Sequence, residues 1–159
     1  MVNAPYLWYQ ELREALLQLG FTISPLDPCL FVLADQNGHV HGAIGMHVDD
    51  GLCCGDSQFA TVLAQLERRF PFGSKRVEDF TFTGIHVQQD EDHNIHLDQE
   101  AYVQNIDPIK VERNRRKLEQ ELVNEGERQG LRGLIGSLQY AATNTRPDIA
   151  ARLSLLQSK

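Results

Sequence analysis

The sequence has no apolar run near the roughly 18 residues that a membrane-spanning helix needs. It also lacks the charged segment and apolar core of a signal peptide at its start. It contains three cysteines, two of them adjacent (Cys53 and Cys54), a spacing that does not predict a disulfide framework. We therefore expect an intracellular protein with no membrane partner, in which Cys53 and Cys54 are buried strand residues in a reducing compartment.

Basic residues are scarce in the first part of the chain. Residues 1–100 hold five Lys or Arg against 15 Asp or Glu, whereas residues 101–159 hold ten against seven. An acidic body of this kind is not the usual footprint of a protein that binds nucleic acid by itself. Of the 159 residues, 42% are apolar and 23% are charged, which indicates a folded globular protein rather than a disordered one.

The spacing of apolar residues predicts an α+β fold built on antiparallel hairpins. Helices are expected over 4–19, from a cap at Asp56 or Ser57 to Phe70, from Asp98 to Ile106, and over 131–142. A last helix is expected after Thr145-Arg146-Pro147-Asp148, which is typical of a capping box. The predicted strands are 29–33, 40–48, 52–54, 80–89 and 94–97.

The strongest candidate for chemistry is the segment His47-Val48-Asp49-Asp50-Gly51. It is predicted to place Asp49 and Asp50 at a tight turn between two strands. Hard divalent cations such as Mg²⁺ prefer carboxylate oxygens together with substrate phosphates. Two such ions about 4 Å apart support phosphoryl transfer. Because Asp-Gly is also a common hairpin dipeptide, a solvated turn without chemistry is the alternative.

The six histidines also raise the question of a metal site. His39, His41 and His47 are spaced at even intervals, which would put them on the same side of an extended strand. The sequence contains neither a matched cysteine pair nor a helical His-Glu-x-x-His motif. Solvated or hydrogen-bonded histidines are therefore predicted in preference to a metal site.

Five blocks of the sequence, in this order, resemble the reverse transcriptase of copia-type long-terminal-repeat retrotransposons. They are similar to that family's Trp-Tyr helix, its Asp-Pro-Cys-Leu strand, its catalytic Val-Asp-Asp hairpin, its Leu-Gly-Ile strand with the Gln-x-x-Tyr helix, and the helical segment beyond the palm. The blocks are LWYQELREALLQLGF, SPLDPCLFV, HVDDGLCCGD, FTFTGIHVQQDEDHNIHLDQEAYV and LIGSLQYAATNTRPDIAARLSLL. The resemblance covers nearly the whole chain except 111–128.

This resemblance implies a partial polymerase palm, an antiparallel sheet with helices on one face, over 1–108. A charged connector over 109–130 and a thumb-like helical segment over 131–159 would follow. Asp49 and Asp50 would be the catalytic carboxylates and would bind Mg²⁺ or Mn²⁺. The implied activity is that of an RNA-directed DNA polymerase, which joins deoxynucleotides to a primer on an RNA or DNA template.

Two further residues gain a substrate role through the resemblance. Lys75 lies in a loop where the family commonly has a lysine, and it would protonate the leaving pyrophosphate. A solvated loop lysine is the alternative. Gly84 would allow close approach of the primer backbone, with a structural bulge or tight packing as the alternative.

The sequence departs from the family pattern at two points. The family's third carboxylate lies on a strand before the Trp-Tyr helix, whereas the few residues that precede this helix here include no acidic residue. In addition, His47 stands where the family usually has Tyr or Phe. We therefore expect the C-terminal half of a polymerase domain, inactive without its N-terminal half, with an uncovered apolar face on strand 40–48. The alternatives are an inactive remnant of a retroelement and an unrelated α+β binding module.

Overall fold

A computed structural model describes residues 4–110, 114–115 and 122–158. The chain divides into two compact units, Met1–Lys75 and Arg76–Lys159, and each is described separately. The division falls inside the region predicted as palm. The assignment of 1–108, 109–130 and 131–159 to palm, connector and thumb stays a prediction, and part of the predicted connector lies outside the described residues.

The first unit consists of one four-stranded sheet and two helices. Its strands follow the order β1-β2-β3-β4, and every neighbouring pair is antiparallel. Its elements are α1 (Ala4–Gln18), β1 (Phe21–Ile23), β2 (Leu30–Ala34), β3 (Val40–His47), β4 (Asp50–Gly55) and α2 (Ser57–Arg69). The predicted helices and strands of this region are confirmed to within a few residues, and β1 is a strand that the sequence analysis missed.

Both helices of the first unit pack against the same face of the sheet. In the strand register Phe31 lies opposite Ile44, and Phe21 lies opposite Leu33, so their side chains share this face. The buried core combines them with helical residues: Leu12, Ala15, Leu16, Phe21, Phe31, Leu33, Ile44, Phe59 and Leu66. The described residues of the unit therefore form their own apolar core.

The expectation of an uncovered apolar face on strand 40–48 is wrong. β3 is an internal strand paired with both β2 and β4. Ile44 is 4% exposed, and Met46 packs against the core cluster. Cys53 and Cys54 are also not the buried residues that were expected, because β4 is an edge strand and both are exposed.

The second unit contains a three-stranded antiparallel sheet in the order β5-β6-β7, followed by helices. Its elements are β5 (Asp79–Phe82), β6 (Ile85–Gln89), β7 (Ile95–Asp98), α3 (Glu100–Gln104), α4 (Glu125–Asn144), a 3-10 helix (Pro147–Ile149) and α5 (Ala150–Gln157). The predicted α+β class is thus confirmed for the described residues. Among them, no helix has the length and apolar character needed to cross a membrane.

The predicted single strand over 80–89 is wrong, because it is a hairpin. Phe82 pairs with Ile85, which leaves Thr83 and Gly84 as a two-residue turn. Both have positive φ angles, 49° and 82°, and the two-residue turns that match strand twist commonly require this. The Tyr140 hydroxyl donates a hydrogen bond to the Thr83 carbonyl and holds the turn against α4.

The cap between the last helices also differs from the prediction. No side chain caps the 3-10 helix or α5, and Arg146 instead forms an ion pair with Asp148 at 2.7 Å. The capping box lies at the start of α4, where Asn124 accepts from the Glu127 N–H and Glu127 accepts from the Asn124 N–H. α4 therefore begins six residues earlier than the apolar pattern over 131–142 indicated.

We expect Gly42→Ala to destabilise the first unit. A Cβ at Gly42 would overlap the Phe59 ring and lie 2.5 Å from the Cys54 carbonyl oxygen. Overpacking of this kind costs about 1–3 kcal/mol of unfolding free energy. Urea denaturation followed by the fluorescence of Trp8, the single tryptophan, which packs on this core, measures the loss.

Gly45→Ala is the matched control on the same strand, because its nearest neighbour is the Leu52 carbonyl oxygen at 4.0 Å. This variant should change the unfolding free energy by less than about 0.5 kcal/mol. Equal effects of the two variants would contradict the packing described here.

We expect the stability of the second unit to decrease as the pH rises through the pKa of His86. His86 lies between two carboxylates, with Nε2 3.0 Å from Asp79 and Nδ1 2.7 Å from Asp98. These hydrogen bonds, the one to Asp79 first, raise the pKa of His86 above its ordinary value. The stabilisation is then fully present below about pH 6.5 and is lost as the pH rises through the raised folded value.

The measurement is the protection of the β5–β7 amides from hydrogen exchange between pH 6 and 9. An NMR titration of the His86 ring gives the folded pKa directly. His86→Gln should remove this part of the pH dependence. A titration of His86 at or below its ordinary pKa would refute the expectation.

Candidate metal-binding hairpin

The predicted hairpin that carries Asp49 and Asp50 is confirmed. β3 and β4 pair without a break from Gly42 opposite Gly55 to His47 opposite Asp50. The turn therefore consists of Val48 and Asp49, and Asp50 lies beside it as the first residue of β4, so both residues are at or beside the turn as predicted. One carboxylate lies on the turn and the other lies at the first paired position after it.

The turn has an unusual backbone at its first residue. Val48 has a φ of 55°, which a β-branched residue rarely adopts. A two-residue hairpin needs a left-handed residue at this place so that the turn follows the strand twist. Val48 is 75% exposed, so burial of its side chain does not compensate for the strain.

The strand register determines which face of the sheet Asp50 occupies. Ile44 and Met46 point toward the two helices, so His47 and its partner Asp50 lie on the opposite face. Neither α1 nor α2 packs on that face, and both Asp49 and Asp50 are exposed. The two carboxylates are thus presented at one end of an open sheet face.

Asp49 and Asp50 place two exposed carboxyl groups next to each other at the end of the hairpin. In the described part of the chain, no third metal-binding side chain joins them in a group of three. Two adjacent carboxylates of this kind can contribute ligands to a hard cation, which needs further oxygens from elsewhere.

Lys75 and Gly84, the two predicted substrate contacts, lie in different units. The Lys75 Nζ is 3.9 Å from Glu67 Oε2, and both side chains are largely exposed. Gly84 occupies the β5–β6 turn, and a Cβ there would lie 3.7 Å from Tyr102 and 3.9 Å from Tyr140. The structure thus gives Gly84 a role in the turn, and the substrate contacts of both residues stay predictions.

His39, His41 and Asp56 form a second group of side chains that could bind a metal ion, and the sequence did not predict it. Ligand atoms of His39, His41 and Asp56 all lie within 4.8 Å of one another. His41 is hydrogen-bonded, as expected, and its partner is Asp56. The sequence contains a His-x-His at strand spacing and an Asp just after the next strand. These residues can be recognised as one group only when the β3–β4 register is known.

Comparison with known proteins points to retrotransposons. The chain is 32% identical over 170 residues to the retrovirus-related Pol polyprotein from transposon RE1 of Arabidopsis thaliana, and 33% identical over 168 residues to that from transposon RE2 of the same plant. Each alignment includes 97% of this chain but 11% of the polyprotein. No family model and no solved structure matches the chain. This homology supports a retroelement origin for the chain.

We expect Val48→Gly to stabilise the first unit by up to about 1 kcal/mol. The left-handed conformation costs a non-glycine residue about 1–2 kcal/mol, and the greater flexibility of unfolded glycine offsets part of that gain. Denaturation followed by Trp8 fluorescence measures the change.

Val40→Gly is the matched control. Val40 is also exposed, at 56%, but it has no positive φ, so the same substitution should cost about 1 kcal/mol there. If both variants were destabilised alike, the turn at Val48 would not be strained.

Proposed function

We propose that this chain forms part of the palm of a retroelement reverse transcriptase and contributes Asp49 and Asp50 to its Mg²⁺ site. The observation that carries this proposal is the hairpin, which presents two adjacent carboxylates at the end of an open face of an antiparallel sheet. The helices on the other face match the arrangement expected of a palm. The homology to retrotransposon Pol polyproteins supports the retroelement origin on which this proposal depends.

In this function the two carboxylates act through metal ions. Asp49 and Asp50 would hold and orient Mg²⁺ at the hairpin tip. The ion would supply stabilisation of the charge that develops when a primer hydroxyl displaces pyrophosphate from the α-phosphate of a deoxynucleotide. The chain spans 11% of the length of its polyprotein relatives, so template-directed synthesis is proposed for the whole polymerase.

The same geometry also sets an expected strength of metal binding. Two carboxylates leave most positions around Mg²⁺ or Mn²⁺ to water, so we expect millimolar affinity, on the order of that of sparsely liganded cation sites. A bound triphosphate would supply further oxygens, as phosphates do in many magnesium sites. Binding at the hairpin should therefore be stronger for Mn²⁺ with a deoxynucleoside triphosphate than for Mn²⁺ alone.

NMR line broadening by Mn²⁺ tests this proposal directly. We expect broadening to concentrate at the amides of residues 48–51 and to increase when a deoxynucleoside triphosphate is added. Asp49→Asn should weaken this broadening by about tenfold or more.

The matched control is Asp92→Asn, which removes the same charge from the hairpin turn between β6 and β7 and should leave the broadening at 48–51 unchanged. Equal broadening of the two turns would mean that Mn²⁺ binds any exposed carboxylate without preference for Asp49 and Asp50. That result would contradict the proposed metal site and favour a binding module in which these residues only form a turn.

A further inference from the structure

Three side chains of the first unit converge where β3 begins and β4 ends. The Asp56 N–H donates to the His41 carbonyl at 2.8 Å, which extends the β3–β4 pairing by one position beyond Gly55. Asp56 thus lies across from His41. His39 immediately precedes β3, and its ring meets the His41 ring edge to face with centroids 5.0 Å apart.

The carboxylate of Asp56 is held in place from two sides. Its Oδ1 accepts hydrogen bonds from the backbone N–H groups of Gln58 and Phe59, at 2.9 and 3.0 Å, and so caps α2. Its Oδ2 lies 2.8 Å from His41 Nδ1. The His41 hydrogen bond, followed by the Phe59 N–H, lowers the pKa of Asp56, so the carboxylate is anionic at neutral pH.

We propose that His39, His41 and Asp56 form a binding site for a divalent first-row transition-metal ion, of which Zn²⁺ is the best fit. Two imidazole nitrogens and one carboxylate oxygen suit Zn²⁺ much better than Mg²⁺, which prefers oxygen ligands. Two ligands on a tetrahedral Zn²⁺ with bonds of about 2.0–2.1 Å are about 3.3 Å apart. The ligand atoms here are separated by 2.8 Å for His41 and Asp56 and by no more than 4.8 Å for any pair.

Local mobility and access both allow the ion to bind. The His41 side chain is 11% exposed and fixed by Asp56, whereas His39 is exposed and can rotate toward the ion. An open pocket lies along this face beside the three residues. The ion takes the place of the hydrogen bond between His41 Nδ1 and Asp56, the coordinated imidazole carries its N–H at Nε2, and water completes the coordination.

This site is separate from the Asp49–Asp50 pair. The pairs His41–Asp56 and His47–Asp50 lie six positions apart along β3, a distance of about 20 Å at 3.3–3.4 Å per residue. The proposed Zn²⁺ site has two histidines and a fixed carboxylate, whereas Asp49 and Asp50 offer exposed carboxylate oxygens. Either site can therefore be present without the other.

Calorimetric titration of the full chain with Zn²⁺, under reducing conditions, tests the site. We expect one ion per chain and no competition from millimolar Mg²⁺. His39→Asn should weaken Zn²⁺ binding at least about tenfold. The backbone of His39 is held by Asp35 at 2.9 Å, so this substitution of an exposed side chain leaves the fold in place.

The matched control is His86→Gln, which removes another histidine that contacts carboxylates and should bind Zn²⁺ as the unaltered chain does. A second readout is thermal unfolding monitored through Trp8, in which Zn²⁺ should raise the melting temperature of the unaltered chain and of His86→Gln but not of His39→Asn. The proposal is overturned if the unaltered chain does not bind Zn²⁺, or if His39→Asn binds it with undiminished affinity.

Discussion

The packing of the Phe59 ring against Gly42 and Gly55 sets the arrangement of the first unit. The two glycines face each other across β3 and β4, and a Cβ on either would overlap that ring. Only glycine at both positions lets α2 come this close to the sheet. The close approach makes Phe59 4% exposed and brings it edge to face with Phe21 at 6.0 Å. This contact favours the observed β3–β4 register, which sets the positions of His41, Asp50 and Asp56.

From that register the two faces of the sheet acquire different roles. The face of Ile44 is covered by two helices and supplies the apolar core. The opposite face carries His41 and Asp56 at one end of the hairpin and Asp50 at the other, where no helix of the unit packs on it. A one-residue slip would exchange the faces, bringing charged groups into the core and exposing Ile44. The strand register that buries the apolar core is therefore the same register that places His41, Asp50 and Asp56 on the opposite face.

The sequence could predict those features that depend on local signals. The helix that begins at Asp56 has a capping side chain and a clear apolar stripe, and the hairpin near Asp49 and Asp50 has strands on both sides of a break. The sequence could not predict features that depend on pairing. β1 has only three residues, too few to show a period, and its existence depends on Phe21 lying opposite Leu33.

The same limit explains the errors in the second unit and the missed histidine cluster. Thr83 and Gly84 lie between residues that all favour strand, so the turn became visible only through the pairing of Phe82 with Ile85. His39 and His41 were recognised as neighbours, but Asp56 lies 15 residues from His41 and meets it through the β3–β4 pairing. The sequence spacing of a ligand set is thus a poor guide when a hairpin brings its members together.

The strained backbone of Val48 lies at one end of the β3–β4 hairpin, and the contacts that stabilise the hairpin lie at the other end. An exposed β-branched residue at a φ of 55° and two adjacent carboxylates both oppose formation of this tip. The opposite end of the hairpin is held by the Phe59 contact and by the hydrogen bonds of Asp56. Because the stabilising contacts and the strained residue belong to one continuous ladder, the core can maintain a tip that would be unfavourable by itself. A tip held in this way keeps the backbone of Asp49 and Asp50 in place before any ion binds, which would lower the cost of organising the proposed metal site.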